Sequence, residues 1–329
     1  MESIASFYDG AKVLITGGLG FIGSNLARRL VELGADVWIV DALLPDTGAN
    51  SINLEDVRHR MTIRVADLAA AEIGPLLPGS KVVFNLAGRL SHLGAMLDPL
   101  PDMASNVHAQ VVFLEECRKH IPGARIVYAS TRQIYGRPAR CPVDESHPVR
   151  PIDVNGINKA AGERYHTLYH RVYGLQTVSL RLTNTFGPRM RIKDARHNFL
   201  GIWVRRLVEG GAFEVWGGQQ QRDLTYVDDA VEAFLLAGAC ESALGGTFNI
   251  GGGPPLCLRA LAECLVKIAG SGCFEVKSFP PEQLRIDIGD YFADDRLFRK
   301  ATGWAPRTSL HDGLERTLAF FQDHLRDYV

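Results

Sequence analysis

The stretch that decides the fold lies near the N-terminus and reads AKVLITGGLGFIGSNLARRLVELGADVWIVD, residues 11–41. Residues 11–16 are a short apolar run, which predicts a buried strand. A glycine-rich turn follows, and leucines then recur at helical spacing across residues 24–33. Residues 37–40 predict a second strand. A strand, a helix and a strand within about 30 residues are typical of a right-handed βαβ unit with parallel strands.

The same alternation continues as far as about residue 187. Short apolar runs predict further strands, and longer stretches with helical spacing predict the helices between them. The strands are expected at 62–65, 81–86, 125–129 and 176–182, and the helices at about 101–119 and 156–173. Strands that alternate with helices predict an α/β fold with a doubly wound parallel sheet of the Rossmann type, covered on both faces.

The alternation breaks after Pro188. A basic loop is expected at 188–197, a helix at 199–209 and a strand that returns to the sheet at 247–250, whereas short helices and loops are expected from about residue 255. The chain therefore divides into a sheet domain and a smaller, mixed α/β lobe for substrate. The sheet domain takes residues 1–187 with a returning segment at about 226–253, and the lobe takes 188–225 and 254–329.

Composition excludes several classes of protein. The 329 residues carry 36 Lys and Arg against 37 Asp and Glu, so the net charge of −1 argues against nucleic-acid and polybasic membrane partners. Apolar residues make up 46% of the chain, which is too many for disorder. No signal peptide and no run of about 18 apolar residues is visible. Six cysteines without paired spacing fit reduced thiols, so we expect a cytoplasmic protein.

The glycine-rich turn has the pattern Gly17-x-x-Gly20-x-x-Gly23 between the first strand and the first helix. The first glycine permits a tight turn, the second lets the backbone approach a pyrophosphate, and the third lets the helix pack closely on the strand. Free N–H groups at the helix start then meet the phosphates. The pattern and its context predict a dinucleotide site.

Two acidic residues at strand ends refine this prediction. Asp41 lies eighteen residues beyond Gly23, where its carboxylate can accept hydrogen bonds from a ribose diol and would repel a 2′-phosphate. NAD is therefore favoured over NADP. Asp67, followed by Leu68, either holds the adenine edge or caps the turn that follows it, and the sequence leaves both interpretations open.

Seven motifs in order resemble the extended short-chain dehydrogenase/reductase family, in its NAD-dependent nucleotide-sugar epimerase and dehydratase branch. The nearest activities are those of UDP-glucose and UDP-glucuronate 4-epimerases. The resemblance implies bound NAD, removal of a hydride from sugar C4, and return of the hydride to the other face of a transient 4-keto sugar. The motifs are GGLGFIGS (17–24), VADL (65–68), NLAG (85–88), STRQIYG (130–136), NGINKAAGE (155–163), LRLTNTFGPR (180–189) and RDLTYVDD (222–229).

The resemblance also assigns site residues. It implies that Thr131 binds and polarises the C4 hydroxyl and that Lys159 binds the nicotinamide ribose and lowers the pKa of the base. A strand-end turn is the other interpretation of Thr131. The cofactor would be held by Gly17, Gly20, Phe21, Ile22, Gly23, Asp41, Asp67, Leu68, Leu86, Ala87, Gly88 and Lys159.

Asn155 stands where the family has its catalytic tyrosine, four residues before Lys159. An amide cannot accept the proton, although it can position the substrate. Another group is then the base, or the chain is an inactive binding form, or the residue was substituted deliberately. His92, in the loop after NLAG, is the candidate base, and a histidine that only hydrogen-bonds substrate or backbone is its alternative. Tyr128, Tyr135 and His197 are weaker candidates.

The residues after Thr131 bear on the reaction. Dehydratases of the family have Asp and Glu at these two positions. UDP-glucuronate decarboxylases have a Glu at the second of them. This chain has Arg132 and Gln133 instead. By resemblance, both reactions become less favoured than epimerisation. Arg132 either pairs with an acidic sugar such as a uronate or is an exposed strand-end arginine. The resemblance further implies that Asn184, Arg222 and Arg285 contact the sugar-phosphate or diphosphate.

The predicted activity is an NAD-dependent nucleotide-sugar 4-epimerase of UDP-hexose or UDP-uronate type. The alternatives are a 4-ketoreductase or dehydratase with a relocated base, and a silent NAD and nucleotide-sugar binder. By resemblance the helices at 101–119 and 156–173 form a homodimer, although their apolar residues also fit core packing. We expect no metal site, because the i, i+4 pair His166 and His170 has no third ligand nearby in sequence.

Overall fold

The structure is a computed structural model that describes residues 3–45, 47–69, 71–194 and 199–329. The strands are β1 (Lys12–Thr16), β2 (Asp36–Asp41), β3 (Met61–Val65), β4 (Val82–Asn85), β5 (Arg125–Thr131), β6 (Gln176–Leu182), β7 (Asn184–Phe186), β8 (Ala212–Trp216), β9 (Gln221–Arg222), β10 (Leu224–Tyr226), β11 (Thr247–Ile250), β12 (Leu256–Cys257) and β13 (Cys273–Lys277). The helices are α1 (Ile4–Tyr8), α2 (Phe21–Glu32), α3 (His92–Leu97), α4 (Pro99–Met103), α5 (Ala109–His120), α6 (Val154–Tyr173), α7 (Phe199–Val208), α8 (Val227–Ala239), α9 (Leu258–Ala269), α10 (Pro281–Ile286), α11 (Arg296–Thr302) and α12 (Leu310–Tyr328). Short 3₁₀ segments span Ser51–Arg60, Ala71–Leu76, Arg132–Tyr135 and Glu241–Ala243, and a π turn spans Ala104–His108.

The main sheet confirms the predicted doubly wound architecture. Its strand order is β11-β6-β5-β4-β1-β2-β3, with every pair parallel. All seven strands predicted for the sheet domain and its returning segment are in it, and their bounds differ from the prediction by at most two residues. The order reverses between β1 and β4, so a crevice opens there at the carboxyl ends of the strands.

Alternate side chains of the strands face two apolar cores. Val13 and Ile15 lie in one core, and Leu14 lies in the other, with all three fully buried. Helices α2 and α8 contribute to the first core, whereas α5 contributes Phe113 and Leu114 to the second. Burial on both faces explains why the strands are continuous apolar runs in the sequence.

Three two-stranded sheets, β10-β7, β12-β9 and β13-β8, lie outside the main sheet, and the smaller lobe carries α7 and α9–α12. The expectation of mainly short helices and loops after residue 255 is wrong for α9 and α12, which have 12 and 19 residues. Helix α12 is stabilised by an apolar stripe that buries Leu314, Leu318 and Phe321. The division between domain and lobe stays a prediction.

The helix expected at 101–119 is also interrupted. It begins at Pro99 and contains the π turn, which places Asn106 in the interior. The Asn106 amide donates to Arg89 O and to Asp102 Oδ1, both at 3.0 Å. A buried polar contact thus overrides regular α-helical geometry here. No helix among the described residues is both long and apolar enough to cross a bilayer.

Candidate active site

A cavity of about 910 Å³ lies at the carboxyl ends of the central strands, where the sheet order reverses. It extends from the glycine turn, past the ends of β4 and β5, to Arg222 in the smaller lobe. Its volume lies near the upper end of the range for single small-ligand pockets, about 300–1,000 Å³. The cavity brings together nearly every site residue that the sequence predicts.

The glycine turn is built for close backbone approach. Gly17 has φ +70°, and a Cβ there would lie 2.9 Å from the backbone nitrogen of Ala87. A Cβ on Gly23 would lie 2.3 Å from the Gly17 carbonyl oxygen. Gly20 precedes α2 without a side-chain cap, so the first N–H groups of that helix are open to a phosphate. These features fit the pyrophosphate of a dinucleotide, and Phe21 and Ile22 line the cavity beside them.

The acidic residues at the ends of β2 and β3 also line the cavity. Asp41 accepts hydrogen bonds from the backbone N–H groups of Leu19 (3.0 Å) and Leu43 (2.9 Å), and burial raises the pKa of its carboxyl. Asp67 accepts from the Ala69 N–H at 2.9 Å, so it does cap a turn. It lines the cavity as well, together with Leu68, Leu86, Ala87 and Gly88.

The two predicted residues at the nicotinamide end lie on β5 and α6. Thr131 ends β5, and its Oγ1 accepts a hydrogen bond from the Gln133 N–H at 3.2 Å, as a strand-end turn requires. Its hydroxyl donates to no described residue and lines the cavity. Lys159 is buried, donates to the Ala129 carbonyl at 2.6 Å, and lies 4.5 Å from the Tyr128 ring centroid. Burial lowers the pKa of Lys159 to about 8, although Asp102 and Glu163 oppose this shift.

His92 lines the cavity and lies beside a buried carboxylate. Ser91 caps α3 by accepting from the Gly94 N–H at 3.1 Å, which makes His92 the first residue of that helix. The Nδ1 atom of His92 lies 3.1 Å from Asp153 Oδ2, and the Asp153 side chain is fully buried. The two groups lie within ion-pair distance, but Nδ1 forms no hydrogen bond of normal geometry among the described residues. A ring with a carboxylate beside Nδ1 is suited to accept a proton at Nε2.

Asp153 is a site residue that the sequence analysis missed. It caps α6 through Gly156 N–H at 2.6 Å and accepts from Gln133 Nε2 at 2.8 Å. Although burial favours its neutral form, the contacts with His92, Gly156 and Gln133 together hold the pKa of its carboxyl below the usual range. The capping pattern, an Asp three residues before the helical Gly156, was visible in the sequence.

Asn155 is locked into a buried polar network behind the cavity wall. Its amide nitrogen donates to Arg89 O and to Asp102 Oδ2, both at 2.8 Å. Asn158 donates to the other oxygen of Asp102 at 2.8 Å, and Asn106 reaches the same oxygen. Asp102, also missed, thus collects three amides and is 2% exposed. Asn155 lines the cavity, but both of its N–H donors are committed inside the protein.

The weaker base candidates lie elsewhere. Neither Tyr128 nor Tyr135 lines the cavity. Burial raises the pKa of both phenols, that of Tyr135 to about 12. The Tyr135 hydroxyl also bonds to Arg181 and Asn249. His197 lies outside the described residues.

Polar residues line the cavity towards the smaller lobe. Arg222 is 4% exposed and donates to the carbonyl oxygens of Gln221 and Gly289, with Asp287 at 3.4 Å. Burial, with Arg132 nearby, lowers the pKa of Arg222 to about 10. The side-chain amide oxygen Oδ1 of Asn184 is buried without a hydrogen-bond partner among the described residues, as a ligand-binding group would be.

Arg285 is not brought to this cavity, contrary to expectation. Helix α10 has six residues, none of them buried, and it turns Gln283 and Ile286 towards the cavity. Arg285 lies on another face of that helix, is exposed, and lines a separate surface cavity with Arg137. Residues one or two positions apart on a helix do not share a face, so Arg285 is turned away from the cavity that Gln283 and Ile286 line.

The histidine pair of α6 has local hydrogen-bonding roles. His166 Nδ1 lies 2.8 Å from the Gly162 carbonyl, and burial lowers the pKa of its ring to about 4. His170 Nδ1 lies 2.7 Å from the Leu175 carbonyl. The expectation of no metal site stays a prediction.

Comparisons with known proteins agree with this geometry. The sequence model of the NAD dependent epimerase/dehydratase family matches residues 13–251. A UDP-glucose 4-epimerase of Mycolicibacterium smegmatis is 31% identical over 317 residues, which cover 95% of this chain and 99% of that protein. A dTDP-glucose 4,6-dehydratase of Streptomyces niveus is 28% identical, covering 95% of this chain and 93% of that protein.

One of the similar solved structures contains bound ligands. A UDP-glucuronic acid 4-epimerase from Bacillus cereus, with UDP-glucuronic acid and NAD, aligns with a TM-score of 0.85 at 26% identity. The alignment covers 95% of this chain and 99% of that one. The chain belongs to the NAD-dependent epimerase/dehydratase family. It is an enzyme of that class, and its cofactor is NAD, which the glycine turn and Asp41 fit.

Proposed function

We propose that the chain is an NAD-dependent nucleotide-sugar 4-epimerase of UDP-hexose or UDP-uronate type, with His92 as its base. The observation that carries the proposal is the contact between His92 and Asp153 in the wall of the cavity that also holds Thr131 and Lys159. These residues supply a proton acceptor, a hydroxyl donor and a cation in one place. When bound, NAD supplies the hydride acceptor and donor that a redox-neutral inversion needs.

His92 takes the proton of the sugar hydroxyl at Nε2. The Asp153 carboxylate is ionised because its pKa lies below the usual range, and it stabilises the imidazolium that forms. Thr131 donates its hydroxyl hydrogen to the same sugar oxygen and thereby aligns it with His92. Lys159 orients the nicotinamide ribose, while its positive charge favours loss of the hydroxyl proton.

The placement of carboxylates favours epimerisation over dehydration. The acidic residues that line the cavity are Asp41 and Asp67 at the cofactor end and Glu214 and Asp287 at the other end. None belongs to the segment after Thr131, where Gln133 instead donates to Asp153. Elimination of water from the sugar would need an acid and a base there.

The test is proton NMR of the purified protein with UDP-, dTDP-, GDP- and CDP-sugars, without added NADH. A new epimer from a UDP-sugar, with its anomeric and H4 signals, is the expected result. Turnover that requires added NADH and a 4-keto sugar would mean a reductase instead. Binding without any turnover would mean a silent binder.

The variant Asn155→Tyr distinguishes a working site from a disabled one. We expect activity to fall, because tyrosine removes the bonds to Arg89 O and Asp102 Oδ2. Arg89 O keeps its bond from Asn106, but Asp102 Oδ2 is left buried without its donor. An unsatisfied buried group costs about 1–3 kcal/mol, so the melting temperature should fall as well. Activity that appears only in Asn155→Tyr would contradict the role of His92.

We also propose a homodimer formed through α5 and α6. Helix α6 exposes Ile157, Leu168 and Val172 along one stripe, which is typical of a helix face that another chain covers. Phe113 and Leu114 of α5 are buried in the core, so α5 would contact the partner through other residues, such as the half-buried Val111. Light scattering should show a dimer for the wild type and a monomer for Leu168→Asp. A wild-type monomer at micromolar concentration would contradict this assembly.

A further inference from the structure

The guanidinium of Arg132 has no partner in the described part of the chain. Its side chain forms no hydrogen bond or ion pair there, and Nη1 is buried without a hydrogen-bond partner. The group lies 5.3 Å from the centroid of the Tyr291 ring and lines the main cavity. Nη1 carries two of the N–H donors of the guanidinium, and burying them unpaired is costly, so the arrangement points to a ligand that completes it.

The surrounding carboxylates do not fill this role. Burial lowers the pKa of Arg132, whereas Asp153, Asp223 and Asp287 raise it from a distance. Asp153 is held by His92 and Gln133, as described above. Asp223 accepts from Thr183 and from the Ala293 N–H, and Asp287 contacts Arg222 and accepts from the Gly289 N–H. These acids keep Arg132 charged without bonding to it.

The position of Arg132 identifies which part of a substrate it meets. It follows Thr131 directly, at the end where the sugar hydroxyl reacts, and its guanidinium also lies near Arg222, which lines the same cavity. Arg222 is already held by two carbonyls and Asp287, but Arg132 has all its donors available. Arg132 is therefore available to bind an anionic group beside the reacting hydroxyl.

We propose that Arg132 binds a carboxylate on the sugar ring, so that the preferred substrates are nucleoside diphosphate uronates. The planar fork of the guanidinium matches a carboxylate with two parallel hydrogen bonds. The inference rests on the proposed function for the location of the sugar. It goes further, because it selects uronates over neutral hexoses.

The test is calorimetric titration of the NAD-loaded protein with UDP-glucuronate, UDP-glucose and UDP. The wild type should bind UDP-glucuronate about tenfold or more tightly than UDP-glucose, the effect expected of a charge-assisted bond. Arg132→Gln should remove this preference and leave the Kd values of UDP-glucose and UDP within about threefold. Arg140→Gln is the matched control, since Arg140 is exposed and pairs only with Asp144 among the described residues.

Each outcome of the titration supports or overturns the proposed role of Arg132. Equal weakening of all three ligands in Arg132→Gln would place Arg132 on the diphosphate and overturn the proposal. A wild type that binds UDP-glucose as tightly as UDP-glucuronate would overturn it without any variant, even if Arg132→Gln fails to fold. Because titration needs no turnover, a uronate preference in a protein that interconverts nothing would contradict the proposed function alone.

Discussion

The two ends of the cavity are built in different ways. The cofactor end is formed by one continuous segment, in which Gly17, Gly20 and Gly23 shape the backbone and Asp41 follows on the next strand. The reaction end is assembled from four separate places: α3, α4 with its π turn, the end of β5, and the start of α6. Backbone geometry makes the first end, whereas a buried network of side chains makes the second. Substitutions at the cofactor end should therefore affect NAD binding, and substitutions at the reaction end should affect turnover.

The largest effect is expected at the reaction end from His92→Gln. Glutamine keeps a hydrogen-bonding group but cannot take the proton, so kcat should fall by about 10²–10⁴-fold. Bound NAD should be retained, because the substitution leaves the glycine turn and Asp41 unchanged. Epimerisation rates and the absorbance of retained cofactor measure the two effects.

Two variants sharpen this result. Asp153→Asn should also lower kcat, since it removes the negative charge that holds the His92 ring. His92→Ala should be as inactive as His92→Gln. Activity preserved in His92→Gln and lost in His92→Ala would instead mean that His92 only hydrogen-bonds the substrate.

At the cofactor end, we expect Gly23→Ala to lower the unfolding free energy and the amount of retained NAD. The added methyl would meet the Gly17 carbonyl oxygen and Gly18 Cα, which are backbone atoms that cannot move aside. Overpacking of this kind costs about 1–3 kcal/mol of unfolding free energy, and retained NAD should drop with it. Chemical denaturation and cofactor content give the two measurements.

Gly123→Ala is the matched control, because a Cβ there meets nothing within 4 Å. It should leave both unfolding and cofactor content unchanged. A stable Gly23→Ala that keeps its NAD would show that the close approach of α2 to the turn is not needed.

The contrast between the two ends explains what could be predicted from sequence. The strands of the sheet and the glycine turn follow local patterns, such as the buried run 12–16, and all were predicted. Asp102 was not, because its partner Asn155 lies 53 positions away and only the fold brings them together. His92 was predicted as a candidate base, but its pairing with Asp153 was not, for the same reason. Helix α12 was missed for another reason, since its apolar stripe at Leu314, Leu318 and Phe321 was present and not used.

A smaller effect is expected from Asp102→Asn. Asp102 connects the buried network of amides to Lys159, the residue proposed to orient the cofactor. The Asp102 charge raises the pKa of Lys159 against the lowering by burial, and the result is about 8. Without that charge the pKa of Lys159 falls further. Because Lys159 loses its proton as pH rises, the alkaline decline of kcat should begin at a lower pH than in the wild type.

A pH–rate profile between pH 6 and 10 measures this shift. Asp98→Asn, at an exposed position just before α4, is the control and should leave the profile unchanged. Asp102→Asn should also melt earlier, since it disturbs three buried amide bonds worth about 1 kcal/mol each. A destabilised variant with an unmoved alkaline decline would separate Asp102 from the charge of Lys159.

The smallest effect is expected from Arg285→Gln, which tests where the cavity ends. Arg285 is exposed on the outer face of α10, so its loss should change the Kd for UDP by less than about twofold. Arg222→Gln should weaken UDP by about tenfold or more, because the buried Arg222 lines the cavity and would lose a charge-assisted bond. A comparable loss in Arg285→Gln would mean that α10 turns inward when the nucleotide binds and that Arg285 makes the diphosphate contact that the family resemblance implies. Equal and negligible effects of both variants would place the diphosphate away from the smaller lobe altogether, and the division of the cavity into a cofactor end and a sugar-nucleotide end would have to be redrawn.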